Sequence, residues 1–206
     1  MDCLVHPTYF PNLEHFSVII NASKLVFETH DNYQKQTFRN RTEIYGANGK
    51  LALTVPVIYT QKNRQLYKDV KIANDGKWQS QHLKSLESAY RMSPFYEFYI
   101  DDLMPLFENK FDSILELNLK CFEIMTNCLQ IDIDVNYTNA YEKLPTNLSD
   151  YRHMVNRNSN THEFIPYTQV FTEKHGFLSN LSILDLLFNE GPNSELYLKN
   201  HSSLVS

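Results

Sequence analysis

The sequence predicts an α/β fold: an N-terminal strand–helix–strand unit with a mixed sheet and a hairpin, followed by a mainly helical C-terminal half. Three observations carry this. Two short apolar runs, Cys3-Leu4-Val5 and Leu25-Val26-Phe27, bracket a helical pattern within the roughly 30 residues of a crossover unit. The turn-rich Gly46-Ala47-Asn48-Gly49 separates two β-prone runs. After Trp78, apolar residues recur mostly at helical spacing.

Taken in order, Cys3 to Val5 is a buried strand stopped by Pro7 and Pro11. Asn12 is the expected N-cap of a short helix carrying Leu13, Phe16, Val18, Ile19 and Ile20. Leu25 to Phe27 is the second strand. The hairpin pairs Thr42–Tyr45 with Lys50–Val57. Trp78, His82, Leu86 and Tyr90 stand four apart, which predicts a helix over Trp78–Met92, ended by Ser93-Pro94. Phe95 to Tyr99 is an aromatic segment, and Asp102 to Leu129 is mostly helix with Pro105 in its first turn. Asn136 to Glu163 is polar and weakly periodic, and reads as surface loop and short helix. A last helix runs through Leu181 to Phe188, with Gly191 as its stop and Pro192 opening another short helix. One domain over residues 1–200 and a disordered tail over 201–206 are expected.

Composition narrows the function classes. The formal net charge of −5 gives no reason to expect nucleic acid as a partner. No apolar run approaches the roughly 20 residues of a membrane span. The first residues lack a basic stretch followed by an apolar core, so the expected location is the cytoplasm. Cys3, Cys121 and Cys128 are too few for a disulfide framework and read as core thiols. The eight histidines are scattered, so no metal site is expected.

The densest chemistry lies in Asp31–Arg41, DNYQKQTFRNR. Lys35, Arg39 and Arg41 are suited to an anionic group by charge-assisted hydrogen bonds, and Gln34, Gln36 and Asn40 to hydroxyls. A solvated hairpin explains the same residues equally well. His6, at a strand end, is a candidate general base beside Asp31; its ordinary reading is a hydrogen-bonded strand-end histidine. Asn118 interrupts an apolar stripe, either as a core amide or lining a pocket. Asp185, set among apolar residues, is expected to pair with an arginine of the Asp31–Arg41 region. Arg91 reaches either an anion or Asp101 or Asp102. No glycine-rich phosphate loop, nucleophile elbow or zinc motif is present, and the cofactor is left unknown.

Several pieces in this order resemble the WbqC-like family of bacterial proteins. They are Pro7-Thr8-Tyr9-Phe10-Pro11, Tyr33 to Arg41, Gly49-Lys50 with Leu53 to Val57, and His82 to Glu87. Tyr90-Arg91 with Ser93-Pro94-Phe95, Leu117-Asn118, and Asn180 to Asn189 with Gly191-Pro192 complete the set. His6 departs from the pattern, standing where longer members carry glutamine. The resemblance implies a role in surface-polysaccharide (O-antigen) biosynthesis, and the expected activity is group transfer on an activated sugar or a related anionic metabolite. Its expected site has His6 and Asp31 as catalytic residues. Tyr9, Gln34, Lys35, Gln36, Arg39, Asn40, Arg41 and Arg91 bind a ligand such as a nucleotide sugar. Asn118, Asp185 and Asn189 give structural support. The alternative is a non-catalytic binding or assembly protein, whose partner surface is Tyr33, Phe38 and the Phe95–Tyr99 aromatics.

Overall fold

The structure is a computed structural model that describes residues 2–60, 64–157 and 163–201. Strand β1 (Asp2–Val5), helix α1 (Leu13–Ile20) and strand β2 (Lys24–Phe27) form the crossover unit, with β1 and β2 parallel and Cys3 opposite Leu25. Two further parallel strands flank them, β7 (Val135–Tyr137) beside β2 and β8 (Ser149–Asp150) beside β1, in the order β7-β2-β1-β8. Both outer strands lie in the stretch expected to be loop and short helix. At three and two residues they are too short for an alternating pattern to register, and they hold through pairing with the central strands. All four strands end at the same edge, where ligands of parallel sheets sit.

Alternation along the strands divides the two faces. Cys3, Val5, Leu25 and Phe27 pack with Val18, Ile19 and Phe122 in one cluster. Leu4 and Val26 face the segment running from Thr138 to Leu148. Both faces are therefore covered, as a parallel sheet requires.

The hairpin joins β3 (Arg41–Gly46) to β4 (Gly49–Thr54) through Ala47-Asn48. Pro56 separates it from β5 (Val57–Ile58), which pairs instead with β6 (Lys71–Ile72). Helices α2 (Trp78–Tyr90), α3 (Tyr96–Glu108) and α4 (Ile114–Cys128) follow. The aromatic segment is the first part of α3, burying Tyr96 and Tyr99. Pro105 accordingly sits inside α3 and not in a first turn, because the aromatic run starts the helix more than two turns earlier.

Ser113 caps α4, its hydroxyl accepting from the Leu115 N–H at 3.2 Å. A short α5 (Thr172–His175) precedes α6 (Ile183–Glu190), a 3₁₀ turn at Gly191–Asn193 and α7 (Ser194–Lys199). The N-termini of α1 and α6 are fastened together: the Leu13 N–H donates to Leu181 O at 3.0 Å and the Ile183 N–H to Pro11 O at 2.8 Å. His201, expected in the tail, is buried against Phe164 and Tyr197, while 202–206 lie outside the described residues.

Gly191 ends α6 at φ 53°, and a Cβ there would meet the Phe95 ring at 2.6 Å. Gly191→Ala therefore carries left-handed strain plus a ring clash, together about 2 kcal/mol or more. A melting curve should show a loss of roughly 4–8 °C for a chain of this size. An unchanged melting temperature would mean that Phe95 moves aside freely.

Candidate functional site

At the carboxyl edge of the parallel sheet, β1 runs into His6, β2 into Glu28 and β8 into Arg152. Glu28 is fully buried and accepts from the His30 N–H at 2.8 Å, the Thr138 hydroxyl at 2.9 Å and Arg152 Nη1 at 3.1 Å. Arg152 also grips Asp150 through Nε at 2.9 Å and Nη2 at 2.7 Å. A carboxylate buried this deeply needs such pairing, since an isolated one would not stay ionised.

Beside this pair, His6 Nε2 stands 3.0 Å from Asp31 Oδ2, and Arg39 Nη2 donates to the same oxygen at 3.3 Å. Arg39 Nη1 donates to the Asn32 carbonyl at 2.9 Å, and its guanidinium lies 5.4 Å from the Tyr67 ring centre. Burial, then the charge of Arg39, push His6 down to about 4, so its imidazole is neutral near pH 7. Burial alone pushes Asp31 up, but the His6 hydrogen bond and Arg39 outweigh it and hold the carboxyl below its usual range.

These groups line a cleft of about 370 Å³. Buried His6, Arg39 and Arg152 with half-buried Asp31 form its floor, and exposed Gln34, Tyr141, Lys143, Asp150, His153 and Asn156 its rim. Lys143 is exposed, with no carboxylate within salt-bridge distance among the described residues. No group of His, Cys, Asp or Glu among the described residues has the arrangement to hold a metal ion.

The Asp31–Arg41 cluster is split by the fold. Asp31, Gln34 and Arg39 reach the cleft. Lys35 stacks over Tyr59 at 5.2 Å, Gln36 is exposed at φ 62°, and Asn40 donates to Val55 O at 2.9 Å. Arg41 opens β3, away from the cleft lining. Tyr9 is buried, with its hydroxyl 3.0 Å from His82 Nδ1.

Arg91 is exposed at the C-cap of α2, where it meets Glu87 at 3.4 Å and not Asp101 or Asp102. The helical i, i+4 neighbour is simply nearer.

Asp185 has no arginine partner. Tyr90 and Tyr167 donate hydroxyl hydrogen bonds to it at 2.9 and 2.5 Å, and Gln169 Nε2 donates at 2.8 Å. Burial raises it to about 6 against those three bonds. Tyrosine hydroxyls solvate the carboxylate without a second buried charge, which is why the expected arginine is not needed. Asn189 donates to the Asp185 carbonyl at 2.7 Å and Asn118 to the Arg39 carbonyl at 2.6 Å.

Glu28, Asp150, Arg152, Lys143 and His15 were not read from the sequence. Most follow from β8 and its approach, and the one local signal was the charge alternation of Asp150-Tyr151-Arg152. His15, on α1, is buried with Nε2 unpartnered and lies close enough to His6 and His153 to feel both.

Burial pushes His15 down to about 3, His6 to about 4 and His82 to about 4. Their folded values lie below the unfolded one, so the stability they contribute is present above about pH 6.5 and is lost as pH falls toward 4. For His15 alone the loss at pH 5 is about 2 kcal/mol. His15→Leu should therefore lose less stability than the parent between pH 7 and pH 5, measured by urea midpoints. Equal losses would place the acid sensitivity elsewhere.

No curated protein and no solved structure matches the chain. The model of the WbqC-like protein family matches residues 6–166, a span that includes His6 just after β1, the split polar cluster, the hairpin, α2 to α4 and the whole cleft lining. With most of its length matched, the chain belongs to the WbqC-like protein family.

Proposed function

We propose that this chain is a cytoplasmic enzyme of bacterial surface-polysaccharide (O-antigen) biosynthesis, transferring a group on an activated sugar or a related anionic metabolite. The observation that supports it best is the meeting of His6, Asp31, Arg39 and Arg152 in one cleft beyond the carboxyl ends of β1, β2 and β8. At about 370 Å³ the cleft is near the small end of ligand pockets, matched to a sugar phosphate or one end of a nucleotide sugar. Lys143 at the rim, backed by Arg39 and Arg152, attracts the anionic group. Gln34 and Asn156 orient hydroxyls.

Both ring nitrogens of His6 are engaged by protein oxygens, so Asp31 is the base. Its side chain is 15% exposed and ionised. In the reaction an acceptor hydroxyl gives its proton to Asp31, its oxygen bonds to the transferred carbon, and the phosphate leaves with the bonding electron pair.

The second reading, a binding or assembly protein, loses its expected surface. Tyr33, Phe38, Tyr96 and Tyr99 are buried, and Phe98 is the exposed aromatic of that group.

A thermal-shift panel of nucleotide sugars, free nucleotides, acyl-CoA and sugar phosphates tests the enzyme reading. A ligand at a hundred times its dissociation constant adds about 2.7 kcal/mol, a shift of roughly 5–10 °C for this chain length. The shift should shrink in Lys143→Ala, which lacks the rim cation, and persist in Asp31→Asn, which lacks the base but keeps the cations. No response to any compound would transfer the weight to the binding-protein reading.

A further inference from the structure

The environment of His6 is chemically incomplete. Nε2 faces the Asp31 carboxylate at 3.0 Å and Nδ1 faces the Arg152 carbonyl at 3.3 Å. Both partners accept hydrogen bonds and neither can donate one. A neutral imidazole has a single N–H, so whichever nitrogen carries it, the other turns a lone pair toward an oxygen. Only the imidazolium satisfies both contacts. Burial and the Arg39 guanidinium, which shares Asp31 Oδ2, oppose that charge.

The other groups facing His6 are Asp150 on β8, His15 on α1, the Arg152 guanidinium, His153 and the edge of the Tyr67 ring, at 6.3 Å between centroids. Asp31 and Asp150 are each bonded to an arginine, so neither is left as a spare anion to hold a charged His6.

We infer that the cleft takes up its anion together with a proton that settles on His6, which makes His6 the proton-linked positioning residue for Asp31. This rests on reading the cleft as an anion site. A unit negative charge about 6 Å from the ring, at an effective dielectric of about 20, favours the imidazolium roughly a hundredfold. A divalent oxyanion doubles that effect in free energy. Once charged, His6 donates to both Asp31 and the Arg152 carbonyl, fixing the base and the β8 turn in a single step.

Sulfate is the probe, because it stays divalent across the range from pH 6 to pH 8. Calorimetric titrations use the His153→Gln protein, which leaves His6 as the one imidazole of the cleft lining. The expected result is an affinity that rises severalfold for each pH unit lowered. Up to one proton should be taken up per sulfate, read from buffers of different ionisation enthalpy. The His6 ring resonances should move to imidazolium positions when sulfate is added at pH 7, and His6→Gln in the same background should bind without pH dependence. If that variant does not fold, the ring resonances decide. Sulfate bound with equal affinity at every pH and a neutral His6 would overturn the proton linkage and leave the anion site standing. Failure of sulfate to bind at any pH would overturn the anion reading and this inference with it.

Discussion

The amide of Asn118 is the interaction on which the cleft depends. From the buried face of α4 its Nδ2 donates to the Arg39 carbonyl at 2.6 Å and to the Tyr67 hydroxyl at 2.5 Å, and that hydroxyl donates to the Pro7 carbonyl at 2.7 Å. One side chain thus ties the segment leaving β1, the loop entering β3 and the 3₁₀ turn at Tyr67–Asp69. Arg39 is held so that its guanidinium reaches Asp31, and Asp31 in turn meets His6. The Asn118 carbonyl oxygen remains buried without a partner. Such an orphan costs about 1–3 kcal/mol. The opposite amide orientation would set that oxygen against the Arg39 carbonyl, so the orphan is the lesser penalty.

The segment between His6 and Asn12 carries a second constraint. Phe10 sits at φ 44°, a left-handed conformation that costs a bulky residue about 1–3 kcal/mol. Its carbonyl is caught by the Thr42 hydroxyl at 2.8 Å and the Ser182 hydroxyl at 3.3 Å. The strain is localised where three distant parts of the chain converge on one short segment. Without the bend, Pro11 could not face Ile183, and the paired starts of α1 and α6 would separate.

What was legible in the sequence follows from how far each signal reaches along the chain. The β1–α1–β2 unit announced itself because its apolar runs and its Asn12 cap are local; the cap does accept from the His15 N–H at 3.0 Å. The hairpin was equally plain, since Gly46 to Gly49 mark the turn within four residues. β7 and β8 were not legible, because strands this short owe their existence to β2 and β1. With β8 went Asp150 and Arg152, two of the charged residues that line the cleft. The split of Asp31–Arg41 was hidden for a related reason. Only three-dimensional pairing decides that Arg39 turns toward Asp31 while Lys35 turns toward Tyr59.

Buried titratable groups pull the stability in opposite directions, and the balance bears on how the cleft works. Asp185, raised to about 6, contributes stability that is present below its ordinary value of 3.8 and is lost as pH rises through 6. His6, His15 and His82 act in the reverse sense, losing theirs as pH falls below about 6.5. Three depressed imidazoles outweigh one raised carboxyl, so net stability falls on the acid side. His6 is the only one of the three that lines the cleft. His82 is bonded to the Tyr9 hydroxyl inside the core, and His15 is buried on α1 with Nε2 unpartnered. A ligand can therefore change the protonation cost of His6 without disturbing the other two. Acid sensitivity of the fold and the proposed proton linkage of the cleft share one physical origin, imidazole rings removed from water; His6 takes part in both, His15 and His82 in the first alone.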